Sequence, residues 1–289
     1  MRRRSIAIAA ASTVLVSCAL ISGAGDLVVG PDAPAEAGMP SPEAGPASEA
    51  GPDVVLTDAG TPDADADAGS DAGTCDEPGL VARWTFDEGA GVVVRDCTRF
   101  HHDGQVDGGY WVDGERDGGM AFDGGWVGFG NPPGLQLAGP LTACAWIRPA
   151  GLPPADPYRS YIVSKLADPY AGGWRLAVGR SGVAGTPINA AMNVPDPDGG
   201  FHETKGGTMA LGAWSHICAV FSGTTQAVFV DGVQAASSAT TAGKITLTND
   251  EVRIGIRGDG SEPYDGAVDD VRIYARALAL AEIAALAKP

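Results

Sequence analysis

A chain of 289 residues with 36 acidic and 19 basic side chains carries a net charge of −17, which excludes the basic surface that a nucleic-acid backbone requires. The length would allow two domains, but charge and apolar residues are spread unevenly and divide the chain into three unlike stretches. Thirteen acidic residues fall between Asp26 and Gly79, where there is no Lys or Arg, so that stretch cannot assemble an apolar core.

Residues 1–25 read as a secretory signal: Arg2, Arg3 and Arg4, an apolar run from Ile6 to Val16, then Ser17 and Cys18. The run is too short to span a bilayer. Leu15-Val16-Ser17-Cys18 resembles the lipobox of bacterial lipoproteins, which implies acylation of Cys18 and its exposure as the mature N-terminus. Ala19, where an inner-membrane protein of that kind would carry Asp, implies an outer-membrane anchor in a diderm cell. The alternative is ordinary cleavage nearer Ala24, which discards Cys18 and secretes the chain. Residues 26–74 repeat Asp-Ala-Gly, Glu-Ala-Gly and Pro-Asp units and are expected to be a disordered acidic tether.

From residue 75 to 289 the texture changes to short apolar runs punctuated by glycine. Strands are expected at Leu80–Phe86, Gly91–Arg95, Gly119–Phe122, Val127–Phe129, Leu141–Arg148, Ser160–Lys165, Trp174–Val178, Trp214–Phe221, Gln226–Val230, Glu251–Ile256 and Gly266–Tyr274. Asp231-Gly232, between Val230 and Val233, predicts a type I′ hairpin because both central residues must take positive φ. Many strands and one late helix, Leu280–Ala287, imply an all-β, two-sheet antiparallel jelly-roll sandwich. Leu280, Ile283, Ala284 and Leu286 form the stripe expected to dock, with Glu282 capping from three residues beyond Ala279.

Cys75, Cys97, Cys144 and Cys218 form an even set in an exported chain and predict two disulfides. Three pairings are possible, and spacing does not choose among them. No two are close enough for a zinc knuckle.

The strings ARWTFDEGAGVVVRDCT, GGMAFDG, LTACAWIRP, GGWRLAV, GAWSHICAVFSG, AVFVDG and DGAVDDVRIYARALALAEIAAL run in the order of, and resemble, the signatures of laminin-G-like jelly rolls of the concanavalin-A-like lectin/glucanase superfamily. The resemblance covers nearly all of residues 80–287. LTACAWI and SHICAVF are similar to the strands that carry the internal disulfide of pentraxins, so it implies Cys144 with Cys218 and leaves Cys75 with Cys97. It also implies a calcium site at Asp96, Asp103 and Asp269, with Gly104 offering a carbonyl; hard cations favour such oxygen donors.

Hydrolysis of a glycosidic bond needs two carboxyl groups flanking it. The E-x-D-x-x-E strand of the glucanase branch is absent, and Asp87-Glu88 and Asp269-Asp270 are neighbours that a regular strand would point to opposite faces. There is also no G-x-S-x-G elbow and no H-E-x-x-H pair. His101 and His102 fall in a turn, His202 in a loop and His216 in a strand, a scatter that does not suggest a transition-metal site. Trp84, Trp146, Trp174 and Trp214 lie within strands and are expected to pack. Tyr110, Trp111 and Trp126, in glycine-rich turns, and Tyr158, Tyr170 and Phe201, in long loops at 150–172 and 183–210, are the candidates for sugar stacking. The expectation is a non-enzymatic envelope lipoprotein that binds a glycan or a protein partner and touches the membrane only through its lipid. The alternatives are an accessory envelope protein without a soluble ligand and a polysaccharide hydrolase.

Overall fold

The computed structural model describes residues 75–289 apart from 154–158, 184–185, 196–199 and 241, and does not describe the side chains of 181–187. The expected signal, Cys18, the tether and Tyr158 lie outside the described residues.

Two antiparallel eight-stranded sheets face each other. The first contains β1 (Leu80–Trp84), β4 (Tyr110–Asp113), β5 (Gly118–Asp123), β7 (Leu141–Pro149), β12 (Ser215–Phe221), β13 (Thr225–Val230), β14 (Val233–Ala239) and β16 (Asp265–Tyr274). Its order is β14-β13-β12-β7-β16-β5-β4, with β1 pairing the second half of β16. The second contains β2 (Val93–Val94), β3 (Gly104–Asp107), β6 (Trp126–Gly128), β8 (Arg159–Lys165), β9 (Trp174–Val183), β10 (Thr186–Asn193), β11 (Glu203–Met209) and β15 (Arg253–Ile254). Its order is β11-β10-β9-β8-β15-β6-β3-β2.

Alternation along the strands fills the space between the sheets. Leu141, Ala143, Ala145 and Ile147 of β7 and Ile217, Ala219 and Phe221 of β12 enter the main core with Trp84, Phe86, Phe122 and Trp174. Each large apolar side chain buried this way contributes about 1.5–3 kcal/mol. Asp231 (φ 49°) and Gly232 (φ 78°) both take positive φ, as the type I′ turn between β13 and β14 demands.

A smaller cluster lies outside the first sheet. Cys144 and Cys218, directly opposite on β7 and β12, form one disulfide with a Cα–Cα distance of 4.1 Å. Val220, Phe229, Tyr274, Leu278 and Ile283 pack around it. The second disulfide joins Cys75 to Cys97. The helix, α1 (Leu280–Leu286), buries Ile283 and half-buries Leu286, but Leu280 and Ala284 are exposed, so the docking stripe is narrower than expected. With only seven residues, one turn alone faces the sheet. Glu282 accepts the Ala279 N–H at 2.7 Å, and Ala279 supplies no side-chain cap in return.

Several segments read as turns or loops are strands. Tyr110 and Trp111 lie in β4 and Trp126 opens β6. The long loop at 183–210 contains all of β10 and β11, whereas β8 falls where the strand Ser160–Lys165 was expected. Glycine and alanine in INAAMN and ETKGGTM hide a period-two pattern that the partner strands complete.

Candidate functional site

The outward-facing positions of β8 to β11 form a polar cluster. In β9, Trp174, Leu176 and Val178 turn inward, leaving Arg175 and Ala177 outside; in β10, Ile188, Ala190 and Met192 turn inward, leaving Asn189, Ala191 and Asn193 outside. Register then aligns rows across the sheet. Arg175 pairs with Asn193 and Asn193 with Glu203, Tyr161 with Ala177 and Ala177 with Ala191, and Arg159 with Gly179 and Gly179 with Asn189. The small residues Gly179, Ala177 and Ala191 make a floor, and long polar side chains stand around it.

Those side chains are tied together. The Arg175 guanidinium donates to Tyr161 Oη and to Glu203 Oε1, each at 2.7 Å, and is fully buried. Arg159 Nε lies 3.4 Å from Glu203 Oε1 and 3.9 Å from Glu262 Oε2, so the two carboxyl groups sit within about 7 Å of each other around one guanidinium. Arg257 pairs with Asp259 through two bonds of 2.9 and 2.6 Å and with Glu262. Burial raises the Glu262 carboxyl above its ordinary range, against the pull of the Arg257, Arg159 and Arg175 charges.

Four buried polar atoms on this face have no hydrogen-bond partner: Arg175 Nε, Asn189 Oδ1, Asn193 Oδ1 and Glu262 Oε2. Such groups are rare in a folded protein, because each costs about 1–3 kcal/mol. Above them Phe201 lies about 5 Å from both the Arg159 and Arg175 guanidinium carbons, and Tyr170, which is 58% exposed, tilts against Phe201 at 5.6 Å.

The structure therefore brings Tyr170 and Phe201 together, and leaves the other described candidates, Tyr110, Trp111 and Trp126, elsewhere. Tyr110 stands exposed on the first sheet beside Arg148 and Asp265. Trp111 packs against the main core and donates its indole N–H to Gly91 O. Trp126 lies under the Arg253 guanidinium at 4.2 Å. Arg159, Tyr161, Arg175, Asn189, Asn193, Glu203 and Glu262 were not singled out from sequence; the signal was there in β9, where Arg175 interrupts an apolar run.

The four proposed calcium ligands do not form one cage. Asp96 Oδ1 accepts from the Arg83 and Thr98 amides, and Oδ2 from Thr98 Oγ1 and the His102 amide, all at 2.9–3.0 Å. These four bonds fill its acceptor capacity and leave nothing for a cation. Asp103 accepts the Asp96 amide, next to Gly104 at the start of β3. Asp269 instead lies in β16, where Oδ2 accepts the Glu115 and Arg116 amides at 2.9 and 2.7 Å. Asp269 and Asp270 do not point to opposite faces. A bulge in β16, with Asp270 at φ 44°, turns both toward the 114–117 turn, and Arg116 donates its amide to Asp269 and its guanidinium to Asp270. Among the described residues the one His/Cys/Asp/Glu group of coordinating dimensions is Cys144, His216 and Cys218, and its sulfurs are already bonded to each other.

Sequence comparison with curated proteins gives no match. Solved structures of the same fold include the binding domain of Paraclostridial Mosquitocidal Protein 1, at 14% identity and a TM-score of 0.58, covering 72% of this chain and 52% of that one. Domain 4 of AbnA, a GH43 extracellular arabinanase from Geobacillus stearothermophilus solved with arabinotriose, matches at 19% identity and 0.55, covering 74% and 100%. Trypanosoma rangeli sialidase matches at 19% identity and 0.54, covering 74% of this chain but only 33% of its own. The chain thus spans about half of the mosquitocidal binding domain and a third of the sialidase. The profile of a laminin-G family described as the concanavalin A-like lectin/glucanases superfamily matches residues 117–284, more than half of the chain, and the chain belongs to that superfamily.

Proposed function

We propose that residues 75–289 are a non-catalytic saccharide-binding domain, held at the cell envelope by an acylated Cys18 and an acidic tether. The observation that carries this reading is the second sheet's outer face, where an aromatic pair, Tyr170 exposed and Phe201 half-buried, overlies buried polar groups with unused hydrogen-bonding capacity. Aromatic faces stack on sugar C–H surfaces, and fixed polar groups choose among hydroxyls. The arabinanase domain solved with a bound oligosaccharide supports the reading at the level of fold.

One observation favours hydrolysis: Glu203 and Glu262 both lie within 4 Å of Arg159 Nε, so two carboxyl groups come near one spot, as a glycosidase requires. Binding is the better reading because Arg159 already lies against both carboxyl groups, crowding the place where a glycosidic oxygen or a water would have to approach them. Both carboxylates are also held in ion pairs.

A glycan array probed with the full chain tests the proposal. Reproducible saccharide hits, lost in a Tyr170→Ala/Phe201→Ala variant that still melts cooperatively, are expected. New reducing ends on incubation with the bound glycan would replace binding by hydrolysis, and silence across the array would favour a protein partner. Mass spectrometry of the native protein should find acyl chains on Cys18; an N-terminus near residue 25 would remove the anchor.

A further inference from the structure

We infer that the outer face of the first sheet carries a second site, separate from the saccharide site, that takes a free α-amino acid in its zwitterionic form. The inference goes beyond the saccharide-binding reading and does not rest on it.

Strand register builds the site. Tyr110 of β4 lies opposite Ala121 of β5, Ala121 opposite Ala267 of β16, and Ala267 opposite Arg148 of β7, so one row crosses four strands. Met120, Phe122, Ile147 and Val268 turn into the core, which puts this row on the outside. Ala121, Gly266 and Ala267 form a floor without long side chains, and Tyr110, Arg148 and Asp265 stand around a cavity of about 310 Å³ above it. Ligand pockets run from about 300 to 1,000 Å³, so this one suits a small molecule.

The charged groups at the cavity have no partner in the fold. Arg148 is half-buried and held against the Trp214 ring at 4.9 Å, yet among the described residues its guanidinium donates no hydrogen bond and pairs with no carboxylate. On the same sheet Arg83, Arg116 and Arg272 all meet Asp270. The exposed Asp265 carboxylate likewise accepts no hydrogen bond and enters no ion pair among the described residues. It lies over Gly151, where a Cβ would come within 2.1 Å of Oδ2. A cation and an anion thus face one cavity without pairing with each other.

Their spacing suits the two charged groups of one small molecule. Asp265 lies two residues along β16 from Ala267, the partner of Arg148, which is roughly 7 Å at the rise of a strand. An arginine fork matches a carboxylate, and the three donors of an ammonium match an acceptor-only carboxylate. A purely anionic ligand would be repelled by Asp265 and a purely cationic one by Arg148, whereas a neutral sugar would desolvate both charges without pairing either. An amino acid answers both. Tyr110, which is 54% exposed, supplies an apolar wall for the ligand's own side chain, so leucine-like and phenylalanine-like ligands fit best.

The test is isothermal titration of the full chain with L-leucine, L-phenylalanine, N-acetyl-L-phenylalanine and L-phenylalaninamide, the last two each lacking one charge. The free amino acids are expected to bind, and each derivative at least tenfold more weakly than phenylalanine. Arg148→Gln should abolish the preference for phenylalanine over its amide, and Asp265→Asn the preference over its N-acetyl form, each with at least a tenfold loss of phenylalanine affinity. No heat with either free amino acid, or derivatives that bind as tightly as the parent, would overturn the inference. So would wild-type discrimination in variants that still melt cooperatively. None of these probes is a sugar, so their failure and a failure of the saccharide-binding reading are separate results.

Discussion

The two outer faces of the sandwich arise from the same strand alternation, yet they differ in how far their polar groups are satisfied. On the first sheet, Asp270 receives Arg83, Arg116 and Arg272, and Arg272 and Tyr274 reach Glu77. Arg116 continues to the carbonyls of Leu286 and Lys288, and the Cys144–Cys218 disulfide is sealed beneath α1. Most of this charge is matched, and the network ties the start, middle and end of the domain together. On the second sheet the charges are also matched, but four buried polar atoms lack partners and two aromatics stand above them. The first face is thus mainly a structural clasp, with Trp146 Nε1 and Asp269 Oδ1 as its own buried orphans, and the second gathers four unsatisfied groups beneath two aromatics, an arrangement that a stable fold keeps only where it serves another purpose.

The sharpest way to break this contrast is to remove the clasp. Asp270→Ala leaves three arginines around an empty position and should destabilise by about 3–5 kcal/mol in chemical denaturation. Replacing both Cys144 and Cys218 by Ser opens a link between residues 74 apart and should cost about 2–5 kcal/mol. Neither change should alter saccharide affinity in material that remains folded.

Two groups on the first face make opposite contributions to pH dependence. Burial pushes the Asp269 carboxyl up to about 7, so the folded state holds an extra proton between the ordinary carboxylate range and pH 7, and this contribution to stability grows as pH falls through that window. Burial pushes His216 down to about 4, so the unfolded state holds the extra proton between 4 and 6.5, and stability falls as pH drops through it. The two offset each other in the wild type. In Asp269→Asn only the His216 contribution remains, and melting curves should show stability falling on acidification from pH 6.5 to 4 by on the order of 3 kcal/mol more than in the wild type. A parallel pH profile for the two proteins contradicts this assignment.

The smaller effects lie on the second face and at the helix. Asn189→Leu removes a buried amide with an unpaired oxygen, so it should leave stability within about 1 kcal/mol or raise it, while weakening saccharide binding. Ala279→Ser should stabilise by roughly 0.5–2 kcal/mol, because the helix lacks a side-chain cap.

Much of the first face was legible in the sequence. LTACAWIRP and SHICAVF alternate so regularly that their inward and outward residues could be read directly, and Asp231-Gly232 fixes its hairpin by backbone sterics alone. The second face was hidden. In INAAMN the inward positions are Ile188, Ala190 and Met192, and between them lie two asparagines and another alanine, a contrast too weak to mark a strand without its neighbours. Glu203 and Glu262 are 59 positions apart, and only the register of β11 and the turn before β16 bring them to one arginine. The bulge at Asp269-Asp270 was equally invisible, since it inserts one residue into a strand whose composition is otherwise regular. Asp96 shows the converse limit: a carboxylate in the position of a metal ligand can be engaged by the amides and hydroxyl of its own turn and of the neighbouring strand.

The contrast between the faces is tested most directly by mapping amide and side-chain NMR shifts while a neutral oligosaccharide is titrated into the full chain. The account predicts changes concentrated at Arg159, Arg175, Asn189, Asn193, Phe201 and Glu203, with Trp146, His216 and Asp269 unmoved. Shifts centred on the first sheet's outer face, with the β8 to β11 face silent, would contradict it.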